Sequence, residues 1–218
     1  MDNANVAIFG SSGMARSVVD IADTMGFSEI VFVDNKDGVE PITGISIIPE
    51  DNVARLMDKG FVFAIGIGSN ATRQKIAEKF SFLPFVNMVH DTASFGRGTR
   101  ELLAKTRGNV VMAGAVFSGN ISFGNFGLFN FNCVVGHDAH FGEYVHLGPG
   151  AFVAGNVNVM DSVYIWAGAM VRNGGGDDTR ILIGENAVLG MGAAAISSVP
   201  ASTNVPPNRV YVSIKKTT

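Results

Sequence analysis

Two kinds of hydrophobic pattern divide this chain. In the N-terminal third, short apolar runs predict three buried strands, Asn5–Phe9, Glu29–Val33 and Phe61–Ile65. Apolar residues at helical spacing predict one helix over Met14–Gly26, and a second is predicted over Ala71–Phe80. A strand, a glycine turn, a helix and another strand make the parallel crossover unit. We therefore expect an α/β domain of Rossmann-like type here.

Each predicted strand ends in a glycine-rich or polar loop. The first loop is Gly10-Ser11-Ser12-Gly13, and a glycine turn that enters a helix leaves backbone N–H groups free to bind phosphate. Asp34 lies 21 residues after Gly13, at the end of the second strand, where a carboxylate suits a ribose hydroxyl. The third strand ends at Gly66. Because the full G-x-G-x-x-G is absent, a tight turn without a ligand is the alternative.

The C-terminal half repeats every six residues from Ile121 onward. The first place of each hexad is small or aliphatic, the fourth is glycine in six hexads, and the third is aliphatic or Phe in all but one. These third-place residues are Phe123, Phe129, Val135, Phe141, Leu147, Val153, Val159, Ile165, Val171, Ile183, Leu189 and Ala195. Such hexads predict a parallel β-helix with three short faces per coil, in which third-place side chains point inward and stack 18 residues apart.

Two further expectations follow from the register of the repeat. The fourth-place glycines should supply special backbone dihedrals at the corners. The hexad Gly175–Arg180 has nothing apolar at its third place, so we expect a loop expelled from the repeat. The two patterns together place one domain in residues 1–88 and the β-helix, with a short tail, in residues 89–218.

Composition excludes several classes of function. Sixteen Lys and Arg stand against 19 Asp and Glu, which disfavours a nucleic-acid binder that relies on phosphate contacts. No apolar run is long enough to cross a membrane, and the N-terminus has no signal-peptide features. The single cysteine, Cys133, cannot form an internal disulfide, and we expect it to be structural. A cytoplasmic protein without membrane insertion is the expectation.

Histidine chemistry is concentrated in the repeat. His137 occupies the fifth place of its hexad, on a corner that faces outward, and Asp138 follows it. Histidine is the usual base near neutral pH, and an adjacent carboxylate can orient its ring. His140 and His146 raise the possibility of a zinc site, but residues of the repeat stack only at multiples of 18. Since these histidines cannot easily converge within one subunit, we expect no metal.

The hexads resemble those of left-handed β-helix acyltransferases, and the whole chain is similar to the sugar acetyltransferases of the PglD/NeuD type. The matching segments are Gly10–Met14, Val33–Asn35, Ala64–Gly66, Val89–His90 and, most specifically, Gly136–His146. The resemblance implies a homotrimer with active sites between subunits. It also implies acetyl transfer from acetyl-CoA to the amine of a nucleotide-linked amino sugar in bacterial surface-glycan biosynthesis. A UDP-4-amino-4,6-dideoxy sugar is the first choice of acceptor.

The same resemblance assigns roles to individual residues. It implies that His137 is the general base, that Asp138 raises its basicity, and that Asn130 positions the acceptor nitrogen. His146, which faces outward, is expected to donate to the thioester of acetyl-CoA. Further coenzyme contacts are expected at Gly155, Ala167 and Met191. The nucleotide sugar is expected at Ser12, Gly13, Met14, Asp34, Asn35 and Gly66.

The chain departs from the family pattern in three places. Met14 stands where a histidine is frequent, which puts the nucleotide and the sugar in doubt. The loop Gly174–Arg180 is about six residues longer than the bare repeat, and its Asp177, Asp178 and Arg180 could reach over a neighbouring active site. The usual C-terminal motif is replaced by Asn204–Val212, which puts coenzyme affinity in doubt.

Three other functions stay open. A sugar O-acetyltransferase of the sialic-acid type would use the same base. A non-catalytic nucleotide-sugar-binding protein is motivated by Met14 and the altered tail. A zinc-dependent hydratase would need ligands shared between subunits.

Overall fold

A computed structural model describes residues 4–175 and 179–213 of the chain. Its helices are α1 Gly13–Thr24, α2 Val53–Asp58, α3 Asn70–Lys79 and α4 Thr99–Leu103, with a short 3-10 helix at Glu50–Asn52. Its longer strands are β1 Asn5–Phe9, β2 Glu29–Asp34, β4 Ser46–Pro49 and β5 Phe61–Ile65, with the short β3 Gly38–Val39 between β2 and β4.

The remaining strands are two or three residues long, as the hexads require. They are β6 Met88–Val89, β7 Ser94–Phe95, β8 Val110–Val111, β9 Val116–Phe117, β10 Leu128–Phe129, β11 Val134–Val135, β12 His140–Phe141, β13 His146–Leu147, β14 Phe152–Val153, β15 Val157–Val159, β16 Tyr164–Ile165, β17 Met170–Val171, β18 Ile181–Ile183, β19 Val188–Leu189, β20 Ala194–Ala195, β21 Asn204–Val205 and β22 Val210–Tyr211.

The N-terminal strands form one sheet in the order β3-β4-β2-β1-β5. All neighbours in it are parallel except the pair of β3 and β4. The predicted bounds of β1 and β5 are confirmed, and β2 runs one residue further, to Asp34. These strands are buried along most of their length, which is why they appear in the sequence as unbroken apolar runs.

The C-terminal half winds through three parallel sheets, and we call these the first, second and third faces. The first face contains β6, β8, β10, β13, β16, β19 and β21. The second contains β7, β9, β11, β14, β17, β20 and β22, and the third contains β12, β15 and β18. Third-place residues pair with their copies 18 residues away, for example Phe129 with Leu147, and every one of them is buried. The inward stacking predicted from the hexads is confirmed.

The expelled loop is visible in the pairing register. After it, Ile165 pairs with Leu189 and Val159 pairs with Ile183, so six extra residues have left the repeat. The loop leaves between β17 and β18, at the corner that joins the second face to the third. Of the residues predicted to reach over an active site, Arg180 is described, whereas Asp177 and Asp178 lie outside the described residues.

The prediction that the fourth-place glycines supply special backbone dihedrals is wrong. The left-handed backbone falls at the sixth place of the hexads, where non-glycine residues such as Asn132 and Asn186 have φ of 54° and 58°. The fourth-place glycines are needed because the next coil lies too close for a side chain. A Cβ on Gly148 would be 2.6 Å from the backbone nitrogen of Ala167.

The two halves pack against each other through the first face. Helix α1 and that face share one apolar cluster, which includes Val18, Ala22, Val110 and Leu128. Apolar burial of this kind fixes how the N-terminal sheet sits on the coil.

Arg73 of α3 fastens the same junction with hydrogen bonds. Its guanidinium is buried and donates to the carbonyl oxygens of Gly68 at 2.9 Å, Phe126 at 3.1 Å and Tyr144 at 2.8 Å. Burial lowers the pKa of Arg73 to about 10, so the group is still charged at neutral pH. Buried polar groups of this type are stabilising only while their partners are in place.

Candidate active site

His137 and Asp138 form a hydrogen-bonded pair at the corner between the second and third faces. The Nδ1 atom of His137 lies 2.7 Å from Oδ2 of Asp138. The His137 side chain is 68% exposed, as its outward corner position predicted. Since the carboxylate accepts from Nδ1–H, the neutral ring carries its lone pair on Nε2. An imidazole in this state can take a proton from an incoming nucleophile.

The residues around this pair were missed from the sequence. Asn120 donates from Nδ2 to Oδ1 of Asp138 at 2.6 Å. This bond, the bond from His137 and the nearby charge of Arg180 together lower the pKa of Asp138. The signal in the sequence was the spacing, because Asn120 precedes Asp138 by one 18-residue coil.

Gly155 lies one coil beyond His137, directly beside its ring. A Cβ at this position would be 2.6 Å from Nε2 of His137. The sequence prediction placed Gly155 in the coenzyme site, whereas here its lack of a side chain keeps the reactive nitrogen of His137 uncovered. A coenzyme contact through the Gly155 backbone stays a prediction.

The N-terminal loops meet at the carboxyl edge of the sheet. Ser11 donates its hydroxyl to Asp34 at 2.6 Å, and the backbone N–H of Asn35 donates to the same carboxylate at 2.8 Å. Helix α1 begins at Gly13 with Ser12 as its N-cap, and Ser12 and Gly13 are exposed. The first N–H groups of this helix point to the same edge, where ligands of parallel sheets bind.

Two residues predicted at this edge have packing roles. Gly66 is buried, and a Cβ there would be 2.6 Å from Cα of Ala15 in α1. Met14 is partly buried and packs on the apolar cluster between α1 and the first face. Substrate contacts from either residue stay predictions.

Arg16 brings a cation to the same helix terminus and was missed from the sequence. It lies one turn after Gly13, and its Nη1 is 3.1 Å from Oε1 of Glu40. Burial raises the pKa of Glu40, but hydrogen bonds from Thr43 and Ile42 and the charge of Arg16 outweigh that effect and lower it. A guanidinium beside a helix N-terminus is well suited to a phosphate.

His146 points out of the coil, as predicted, but the N-terminal domain covers it. Its side chain is 2% exposed, its Nδ1 lies 3.0 Å from the carbonyl oxygen of Gly68, and its ring stacks on Tyr164. Burial, followed by the charge of Arg73, lowers the pKa of His146 to about 3. The neutral ring donates from Nδ1 to Gly68, and Nε2 has no partner among the described residues. The predicted donation to a thioester oxygen does not fit this state, because Nε2 can only accept.

A groove runs along the outer side of the first face. It begins at a cavity of about 530 Å³ beside the start of α3, whose lining includes Ser69, Tyr164 and Trp166. It continues into a second cavity of about 340 Å³, which Trp166 also lines together with Met191 and Pro207. The structure therefore places the predicted coenzyme residue Met191 in a groove, and Ala167 follows Trp166 in the chain.

Asn130 lies away from His137 within one chain. It is buried at the corner between the first and second faces, where its Oδ1 accepts from the backbone N–H of Phe131 at 2.8 Å. Strand β11 separates it from the corner that carries His137. The predicted contact of Asn130 with the acceptor therefore needs another subunit if His137 is to act on the same molecule.

Across residues 4–175 and 179–213, no three His, Cys, Asp or Glu side chains form a group that could hold a metal ion. Within the same residues, no helix is long and apolar enough to span a bilayer. Cys133 is buried, and burial raises the pKa of its thiol to about 12, which agrees with a structural role.

Comparisons with known proteins agree with this arrangement. A family model described as the PglD N-terminal domain matches residues 5–80. The chain is 26% identical over 181 residues to GDP-perosamine N-acetyltransferase of Escherichia coli O157:H7, and the match covers 77% of each protein.

Solved structures match over nearly the full length. One is a histidine-to-asparagine variant of perosamine N-acetyltransferase from Caulobacter crescentus in complex with CoA and GDP-perosamine. It is 25% identical, the match covers 93% of both chains, and the TM-score is 0.82. The acetyltransferase domain of PglB from Neisseria gonorrhoeae FA1090, in complex with acetyl coenzyme A, shares the fold. It is 24% identical over 95% of this chain and 98% of that one, with a TM-score of 0.82.

Proposed function

We propose that this chain is a sugar acetyltransferase of the PglD type, which transfers an acetyl group from acetyl-CoA to the amine of a nucleotide-linked amino sugar. The observation that carries the proposal is the exposed His137, held by Asp138 with its Nε2 uncovered over Gly155. This is a base placed to act on an external nucleophile.

The reaction needs one base and no covalent enzyme intermediate. The amine nitrogen forms a bond to the acetyl carbon, the bond from that carbon to sulfur breaks, and the sulfur leaves as the thiolate of CoA. The Nε2 atom of His137 takes the proton that the amine loses, and the thiolate receives a proton when CoA departs. The Asp138 carboxylate stabilises the imidazolium that forms in between.

For the nucleotide, the relatives favour guanosine over the uridine expected from the sequence. Both the curated relative and the ligand-bound neighbour are named for perosamine carried on GDP. We therefore propose a GDP-linked amino sugar, with its diphosphate at the N-terminus of α1 near Arg16 and its ribose near Asp34.

For the coenzyme, the groove of the first face offers a site of suitable form. It is long and largely apolar, and it leads from Tyr164 past Trp166 to Met191. When bound there, acetyl-CoA would supply the activated acetyl group.

The proposed site needs more than one subunit. His137 lies at the corner of the second and third faces, whereas the groove lies along the first face of the same coil. The outward side of the second face is apolar and exposed at Val116, Phe152 and Met170, which stack in register through Val134. We propose that second faces pack in a homotrimer of left-handed coils, which brings the base of one chain to the groove of another.

The experiment measures CoA release by the purified full chain. Acetyl-CoA is offered with GDP-, UDP- and dTDP-linked 4-amino sugars and with free sialic acid, using wild type, His137→Ala and the control His140→Ala. We expect release with a GDP-linked amine, a loss of about 10²–10⁴-fold in kcat for His137→Ala and no change for His140→Ala. His140 is the matched control because it is an outward histidine three residues away.

Each other outcome identifies a different function. Release with sialic acid alone would point to O-acetylation. Binding of a nucleotide sugar in calorimetry without CoA release would point to a non-catalytic binding protein. Undiminished activity of His137→Ala would refute the assigned base, and stoichiometric zinc in the purified protein would support a hydratase.

A further inference from the structure

Asp138 is held by two residues that lie outside its own coil. Asn120 belongs to the preceding coil and Arg180 ends the expelled loop. His137 and Asp138 leave the coil at the same corner as that loop, between the second and third faces. The three segments therefore meet at one edge of the β-helix.

Asn120 controls one oxygen of the carboxylate. It occupies the sixth place of its hexad with φ of 58°, a conformation that Asn tolerates better than most residues. From there its Nδ2 donates to Oδ1 of Asp138 at 2.6 Å, while Oδ2 accepts from His137. With Oδ1 engaged, the carboxylate cannot rotate away from the imidazole without losing a charge-assisted hydrogen bond.

Arg180 controls the backbone of the same residue. Its Nη1 donates to the carbonyl oxygen of Asp138 at 2.7 Å and to Oδ1 of Asn158 at 3.3 Å. Asp138 has φ of 56°, so this carbonyl belongs to a left-handed corner whose orientation decides where the side chain points. The guanidinium also brings a positive charge to the corner, which favours the ionised carboxylate.

We propose that Asn120 and Arg180 are positioning residues for the acetyl transfer: they hold the Asp138 carboxylate so that His137 keeps its proton on Nδ1 and offers Nε2 to the acceptor amine. The inference rests on the proposed function, and it gives a role to Arg180, the last residue of the hexad that interrupts the repeat. The ionisable groups among the described residues that face Asp138 are His137, His140 and Arg180.

The first test uses kinetics on the full chain. We expect Asn120→Ala and Arg180→Met to lower kcat about 10- to 100-fold, as for residues that orient a catalytic group, with KM for acetyl-CoA unchanged. Asn132→Ala is the control, because Asn132 is an exposed Asn with φ of 54° at another corner. It should retain wild-type kcat. Melting temperatures within a few degrees of wild type show that each variant is folded.

The pH profile separates positioning from support of the fold. Removing the positive charge of Arg180 leaves the negative charge of Asp138 less compensated. Protonation of His137 in the variant is therefore more favourable than in wild type. In the plot of kcat against pH, the acid limb of Arg180→Met should therefore move to higher pH. The acid limb of Arg180→Lys, which keeps the charge, should stay in place. An unmoved acid limb in Arg180→Met, or kcat within twofold of wild type in both Asn120→Ala and Arg180→Met, would overturn the proposal.

The second test needs no activity, so it remains decisive if the proposed function fails. Nitrogen-15 shifts of the imidazole report which ring nitrogen of His137 carries the proton in the neutral form. We expect the Nδ1–H tautomer in wild type and in Asn132→Ala, and a mixture with Nε2–H in Asn120→Ala. The same single tautomer in all three proteins would show that Asn120 does not position the pair.

Discussion

The buried ring of His146 ties the stability of this protein to pH. Its pKa is lowered to about 3 because the ring is enclosed between the Gly68 loop and Tyr164, with the charge of Arg73 nearby. An unfolded chain would bind a proton at this residue near its ordinary pKa of about 6.5. Below that pH the unfolded state binds a proton at His146 that the folded state does not bind. The free energy of unfolding therefore falls as the pH drops from about 6.5 to about 3.

We therefore predict that His146→Phe flattens the stability profile in acid. Phe keeps the stack on Tyr164 and removes the titration. Urea unfolding at pH 7 and pH 4.5 should show wild type losing about 2–3 kcal/mol more than the variant between the two conditions. The lowered pKa values of His140 and Asp138 act on both proteins alike, so they cancel in the comparison. An equal loss of unfolding free energy in both proteins would mean that the pKa of His146 is the same in the folded and unfolded states.

At the scale of single elements, the fourth and sixth places of the hexad meet different steric requirements. The sixth place turns the corner in the left-handed conformation, and Asn, Asp, Ser and Gly recur there because they tolerate it. The fourth place faces the backbone of the next coil, and glycine recurs there because a side chain has no room. The composition of a corner thus follows from sterics at two neighbouring positions.

This division predicts the cost of adding a methyl group. A Cβ on Gly184 would lie 2.8 Å from Cα of Ala201, whereas one on Gly119 would meet nothing within 4 Å. We expect Gly184→Ala to lower the free energy of unfolding by about 1–3 kcal/mol through overpacking, and Gly119→Ala to leave it nearly unchanged. Chemical denaturation measures both variants, and equal stabilities would refute the steric account of the fourth place.

The sequence predicted the strands that are buried on both faces, because such strands are continuous apolar runs. Strands β1 and β5 are buried apolar runs, and their predicted ends were correct to the residue. The segment that contains β3, β4 and α2 gave no signal, because β3 is an exposed edge strand and β4 and α2 bury only one and two residues. Edge elements depend on pairing with a neighbour more than on their own apolar pattern.

For the whole molecule, the exposed apolar side of the second face is the surface that we propose for trimer assembly. Phe152 on this face and Leu182 on the third face are both outward second-place residues, and each is 42% exposed. We expect Phe152→Asp to dissociate the homotrimer and Leu182→Asp to leave it intact, because only the second face is buried in it. Analytical ultracentrifugation should find three times the chain mass of 22.9 kDa for wild type and for Leu182→Asp. A monomeric wild type, or a trimeric Phe152→Asp, would refute the proposed assembly.

The sequence alone determined the local, periodic features of this protein. The hexads set which residues point inward, and the adjacency of His137 and Asp138 set the pair at one corner, because both depend only on spacing along the chain. Tertiary structure decided what covers and holds those residues. The Gly68 loop encloses His146, and Asn120 and Arg180 reach Asp138 from separate coils. Such contacts depend on how one domain docks and where a loop rejoins the repeat, which the hexad pattern does not encode.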